Sequence, residues 1–249
     1  MFRIAVYCID SKLGYGGSIL KLLVLSGGRH PYEESTPLLE QFLIGAGHEV
    51  LVTEDASVLC DKKKMAGFDS LVFNTRRENL PDFAELAFSK AEQESVTEYI
   101  SNGGGFVCLH ISTCVTDTWP EYHDITGGGW ITGTSFHPPY GNFTVNVSNP
   151  SHEAVLGIED FNTDDELYMG LAIKDGNDVF ITGTAGEGTY PWGPDRSPTF
   201  MPAGTFPLGW TRPFGKGKVF VLLLGHDGKS FESPQFQQMV LNGINIVNS

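Results

Sequence analysis

Three of the chain's seven histidines, His30, His110 and His226, each stand just beyond an apolar run of strand character. Imidazole titrates closest to neutrality of all side chains, so a histidine can take or give a proton under ordinary conditions. Arg76 and Arg77 follow another such run, FDSLVFN over residues 68–74, and Asp227 follows His226. Ligands of open α/β sheets gather outside the carboxyl ends of the strands. Each cluster alone could do no more than satisfy a loop backbone; four at strand ends predict one site at one sheet edge. The chemistry they suggest is acid/base, with His110, Glu166 and His226 as catalytic groups and His30 and Arg76 as substrate contacts. His48 opens a strand, His123 lies in a polar turn and His152 follows Asn-Pro-Ser; these three read as structural or solvated.

Glu166 closes the run Asp164-Asp165-Glu166. Repulsion among three carboxylates could raise one of them into the general-acid range, or the run could be a solvated turn. Trp119, Tyr122, Trp130, Tyr140, Trp192 and Trp210 supply aromatic rings to the loops. Such rings pack on the C–H face of a pyranose, and a carboxylate such as Glu121 accepts sugar hydroxyls. The pocket lining expected from this reading is Trp119, Glu121, Tyr122 and Trp210, with His137 orienting substrate; the competing expectation is that many of these rings only pin loops. His110, His137, His226 and a carboxylate would satisfy a divalent metal if they converged, although their spacing does not demand it. No cofactor is therefore certain. The chain has no P-loop, no G-x-S-x-G elbow and no H-E-x-x-H helix, and Ser26-Gly27-Gly28-Arg29-His30 lacks the G-x-G-x-x-G spacing of dinucleotide sites.

These groups need a scaffold, and the apolar pattern supplies one. Leu22 to Leu25 is a continuous apolar run, as in a strand covered on both faces. A helix is expected next, with Thr36 as N-cap, Pro37 in its first turn and Leu38, Leu39, Phe42 and Leu43 on one face. Strands over 49–53, 68–74 and 106–109 follow, the last preceded by a helix bearing Val96, Tyr99 and Ile100 and by Gly103-Gly104-Gly105. This βαβ repetition predicts an α/β fold with a parallel sheet. In the second half, 143–147, 179–182 and 219–224 read as strands, and Ser233-Pro234 opens a final helix. No linker or repeat divides the chain. Residues 1–19 read as an N-terminal extension or edge strand and 20–249 as one domain.

The 249 residues carry 16 basic and 30 acidic side chains, a formal charge of -14, with 41% hydrophobic residues. That is a globular composition, and so acidic a surface argues against nucleic acid and anionic membranes as partners while leaving a neutral sugar open. Homo-oligomerisation is left open as well. Cys8, Cys60, Cys108 and Cys114 form no C-x-x-C pair, and reduced thiols are expected. With no run of about 18 apolar residues and no convincing leader, the expected location is the cytoplasm.

Several segments together carry a resemblance. Gly103-Gly104-Gly105-Phe106-Val107-Cys108-Leu109-His110, Trp119-Pro120-Glu121-Tyr122, Gly127-Gly128-Gly129, Phe136-His137-Pro138, Asp165-Glu166-Leu167-Tyr168 and Gly225-His226-Asp227 occur in the order seen in the trehalose-utilisation (ThuA-like) family. The chain resembles that family from about residue 20 to 248. The resemblance implies a flavodoxin-like three-layer α/β sandwich with a mostly parallel central sheet and extra β strands in the second half, akin to class I glutamine amidotransferases. It also implies a role in using trehalose or related disaccharides. The expectation is a sugar-processing enzyme of hydrolase, isomerase or lyase type, acting by acid/base chemistry on a disaccharide or keto-sugar. The alternative is a non-catalytic carbohydrate-binding or regulatory protein on the same fold. A glutaminase is disfavoured: amidotransferases place a nucleophilic cysteine at the turn after this strand, where His110 stands, and Cys108 lies two residues back inside the strand.

Overall fold

The computed structural model describes residues 18–78, 86–114 and 119–249; Cys8 and nearly all of the expected N-terminal extension lie outside them. The first half runs β1 (Lys21–Gly28), α1 (Tyr32–Gly45), β2 (Glu49–Thr53), α2 (Lys62–Met65), β3 (Ser70–Arg76), α3 (Lys90–Ser101), β4 (Gly105–Leu109) and α4 (Tyr122–Thr126). The second half is richer in strands: β5 (Gly128–Gly129), β6 (Gly141–Val147), β7 (Phe161–Asp165), β8 (Ala172–Ile173), β9 (Asp178–Ala185), β10 (Gly188–Trp192), β11 (Ser197–Met201), β12 (Gly204–Phe214) and β13 (Gly217–Leu222). Two helices close the chain, α5 (Gly228–Glu232) and α6 (Pro234–Val247).

Nine strands form one sheet in the order β2-β1-β3-β4-β13-β12-β9-β6-β7. The first five are mutually parallel and the remaining pairs antiparallel. The parallel half explains the apolar runs: Leu22 to Leu25 and Phe106 to Leu109 are all fully buried, because helices cover both faces. β13 is inserted between β4 and the antiparallel extension, pairing Leu222 with Leu109. The last residues of β1, β4 and β13 thus reach the same sheet edge, which gives the fold its flavodoxin-like site position.

Helix α6 follows the sequence reading closely. Ser233 is its N-cap, accepting from the Phe236 N–H, and Pro234 opens its first turn. Its buried face, Phe236, Met239, Val240, Gly243, Ile244 and Val247, packs against β4 and β13. A methyl at Gly243 would stand 2.6 Å from the Phe220 ring, so glycine there lets helix and sheet approach closely. Helix α1 departs from expectation. It starts at Tyr32, and Pro37 lies inside it. The Thr36 hydroxyl does not cap; it bonds Ser26 Oγ at 2.6 Å and accepts from Asn74 Nδ2 at 3.2 Å. Tertiary partners on β1 and β3 have taken the group that local capping rules would assign to the helix start.

One apolar core runs under both halves of the sheet. Trp119, Tyr122 and Trp210 belong to it, correcting the expectation that they line a sugar pocket: they are 3%, 0% and 0% exposed. Trp210 donates its indole N–H to Thr126 O at 2.7 Å, and the Tyr122 hydroxyl donates to Ser112 O at 2.9 Å. Trp119 packs between Phe88, edge to face, and Tyr122, tilted. A large ring with its one polar atom satisfied inside the protein is the arrangement expected of a loop anchor. Glu121, exposed, sits at the start of α4 and does not share their burial.

Candidate active site

β4 ends at Leu109 and the chain turns at once into a 3-10 segment at His110, whose φ of 48° is in the left-handed region. A histidine there is uncommon and costs roughly 1–3 kcal/mol, so the surrounding structure must hold it. The turn aims the imidazole over the end of the sheet. Its Nδ1–H donates to Leu223 O at 2.8 Å, which leaves the Nε2 lone pair to accept from the Tyr168 hydroxyl at 2.6 Å.

His30 arrives from the end of β1. Gly28, with φ 111°, makes this possible, since a Cβ there would lie 2.1 Å from Arg76 O. The His30 Nδ1–H donates to the neighbouring Arg29 carbonyl, so its Nε2 is the free lone pair, and that atom is buried without a hydrogen-bond partner. His226 follows β13, its backbone fixed by Asp165: the carboxylate accepts from Gly225 N–H at 2.7 Å, His226 N–H at 3.3 Å and Glu166 N–H at 2.8 Å. Asp165 ends β7, which lies at the far edge of the sheet, so this carboxylate ties the two ends of the second half together. The next residue is Glu166.

Glu166 is the hub. Its Oε2 lies 3.5 Å from His110 Nε2 and 3.2 Å from His226 Nδ1, and its Oε1 lies 3.3 Å from His137 Nε2. His30, His110 and His226 pack ring to ring, with centroids 4.9–5.5 Å apart. Four sequence-predicted imidazoles and the predicted carboxylate are thus brought together. The electrostatics correct one expectation. Burial alone would raise the Glu166 carboxyl, but the His110 and His226 imidazoles outweigh it and hold the carboxyl well below the usual range. Glu166 is an anion, unsuited to the general-acid role that repulsion from Asp164 and Asp165 would have given it. Burial, helped by His110, pushes His30 down to about 3, so it is neutral. Burial lowers His137 too, against the pull of Glu166, whereas at His226 the Glu166 carboxylate overcomes burial and the pKa rises.

The remaining candidates fall elsewhere. Arg76, beside the site, ion-pairs with the buried Glu78, which also accepts from Thr132 Oγ1 at 2.9 Å. Arg77 is a structural anchor bonded to Ser26 O, Glu54 O and Thr75 Oγ1. Asp227 caps α5, and His152 caps a 3-10 turn and bonds Thr211 Oγ1 at 2.9 Å. Cys108 is fully buried in β4, its thiol pushed up to about 12 by burial. Sequence reasoning missed the roles of Asp165 and Tyr168. Alternation along an extended segment places Glu166 and Tyr168 on one side, a signal that could have found the tyrosine. The rings that do flank the cluster are Tyr140, 5.3 Å from His226, and Trp192, 4.6 Å from His137.

The parallel sheet with His110 at the turn after β4 is consistent with a flavodoxin-like, glutamine amidotransferase-like fold. Within it, the chain belongs to the trehalose-utilisation (ThuA) family, whose profile matches residues 21–247. A protein of Parabacteroides merdae described as ThuA-like has the same fold, with a TM-score of 0.71 and 20% identity over 93% of this chain and 91% of its own. A ThuA-like protein of Bacteroides uniformis gives 0.68 and 20% over 92% and 91%. A cytoplasmic protein of Salmonella typhimurium gives 0.63 and 13% over 92% and 100%. No curated protein matches the chain in sequence. Among the described residues, no helix is long and apolar enough to cross a membrane.

Proposed function

We propose that this protein is a sugar-processing enzyme whose reaction takes place at the imidazole–carboxylate cluster, on a disaccharide or keto-sugar. The observation that carries the reading is the convergence of His110, His137 and His226 on Glu166 within 3.2–3.5 Å. Proton transfer needs groups within hydrogen-bond reach, and this set meets that requirement. His110 and Glu166 act as one unit at the reacting oxygen. His110 Nε2 faces the Glu166 carboxylate at 3.5 Å, and the buried anion compensates positive charge that develops beside it. Tyr140 and Trp192 flank the cluster with ring faces suited to a pyranose, and the family's association with trehalose supports the same substrate class.

A fully buried Cys108 and a left-handed His110 at the strand-end turn weigh against glutamine hydrolysis. The test is a screen of purified protein against trehalose, sucrose, maltose and their 3-keto forms, run with wild type and Glu166→Gln. Turnover of one of these, lost in Glu166→Gln, is the expected result. Saturable binding of a sugar with no turnover in any arm would favour the binding-protein alternative.

A further inference from the structure

The cluster holds four donor atoms aimed at one point. One ligand atom from each of His30, His110, Glu166 and His226 lies within 4.8 Å of the other three, in the one such group among the described residues. Two ligands of one first-row ion, each at about 2.1 Å, stand about 3.4–4.2 Å apart. A spread of at most 4.8 Å is close enough to that range for side-chain adjustments to let the four atoms share an ion.

Three further observations point the same way. His30 Nε2 is a buried polar atom without a hydrogen-bond partner, a costly state unless something fills the space beside it. His30 and His110 each fix their other ring nitrogen by donating to a backbone carbonyl, of Arg29 and Leu223. That is how metal-bound histidines are commonly held, with tautomer and ring orientation set in advance. The set also has suitable chemistry, three imidazoles with one carboxylate whose negative charge a divalent cation would compensate. Hard oxygen-preferring cations would find only one oxygen; imidazole-rich sites suit zinc and its first-row neighbours.

We infer that His30, His110, Glu166 and His226 form a binding site for one divalent first-row transition-metal ion. His137 stays outside the ligand set, 3.3 Å from the other oxygen of Glu166, as a positioning group for the carboxylate. A bound ion would supply Lewis acidity toward a substrate oxygen. The inference rests on the same site as the proposed function but not on the sugar, so each can fail alone.

The test uses tag-free full-length protein, stripped with chelator and titrated with Co²⁺, Zn²⁺ or Mn²⁺, followed by Co²⁺ absorption bands and by elemental analysis after desalting. One equivalent of at least one ion is expected. Loss of an outer partner alone weakens metal sites 10–100-fold, so His30→Ala and Glu166→Gln should each weaken binding at least about tenfold. His48→Ala, outside the cluster, should leave it unchanged. Tyr168→Phe removes the hydroxyl that shares the His110 lone pair and should keep binding at least as tight. Thermal unfolding of each variant confirms that it is folded. Folded wild type that retains less than a tenth of an equivalent of every ion overturns the site, and so does binding that survives both His30→Ala and Glu166→Gln. Sugar turnover by a protein that binds none of these ions would overturn the site while leaving the proposed function standing; metal binding with no turnover would do the reverse.

Discussion

Asp165 offers the sharpest stability test, because its carboxylate has three N–H donors and no exposure to water. Oδ2 accepts from Gly225 N–H at 2.7 Å, and Oδ1 from Glu166 N–H at 2.8 Å and His226 N–H at 3.3 Å. Burial pushes its carboxyl upward, and the nearby His110 and these donors pull it back. Asp165→Asn keeps the shape but turns one acceptor into a donor. If the amide oxygen stays on the Glu166 and His226 side, the new NH₂ faces the Gly225 N–H, leaving two buried donors unsatisfied. Each costs roughly 1–3 kcal/mol, so the total is about 2–6 kcal/mol, toward the upper end because hydrogen bonds to the lost charge are stronger than neutral ones. For a chain of this length 1 kcal/mol corresponds to about 2–4 °C in Tm, so the midpoint should fall by about 4–24 °C. Calorimetry and urea unfolding would both read this. Because the donors are the backbone of His226 and Glu166, turnover should fall as well. A midpoint within 2 °C of wild type would refute the reasoning, showing Asp165 to be a neutral acid for which asparagine is a benign replacement.

Three further outcomes are expected. At pH 8 a thiol with pKa about 12 is thiolate in roughly one molecule in 10⁴, so peptide mapping after iodoacetamide should find Cys60 labelled and Cys108 unlabelled in the folded protein, with Cys108→Ser retaining turnover. Labelling of Cys108 at a rate matching Cys60 would contradict its placement. Gly28→Ala puts a methyl 2.1 Å from Arg76 O at a φ of 111°, and should lower stability by several kcal/mol in urea unfolding while displacing His30. Gly243→Ala drives a methyl into the Phe220 ring and should cost about 1–3 kcal/mol with activity unchanged in the folded fraction.

The first half of the fold was legible because most of its strands are buried on both faces, so apolar runs coincide with elements. Leu22 to Leu25 in β1 is the cleanest case, and at the end of the chain Ser233-Pro234 opens α6 as read. The second half was less so, for a physical reason. β12 spans Gly204–Phe214 yet contains Gly204, Pro207, Gly209 and Pro213, residues that read as breakers. It tolerates them because its pairing with β9 shifts register between Pro207 and Trp210. The histidines at strand ends could be placed on one edge by topology alone. The aromatic residues could not, because Trp210 and Tyr140 look alike in a sequence of loops and differ only in what covers them. Glu166 was identifiable from its motif, but its ionisation was not: that depends on imidazoles contributed by residues 110, 137 and 226, which only the folded chain brings together.

The central claim is that His110 and Glu166 operate as one catalytic unit, and a double-mutant cycle tests it most directly. With a turned-over sugar in hand, kcat/KM is measured for wild type, His110→Ala, Glu166→Gln and the double variant, each verified as folded. Each single change should lower kcat/KM by roughly 10²–10⁴-fold, and the double variant should be little worse than either, since groups acting together are not additive. Near-normal rates in both single variants, or losses that simply multiply in the double, would contradict it.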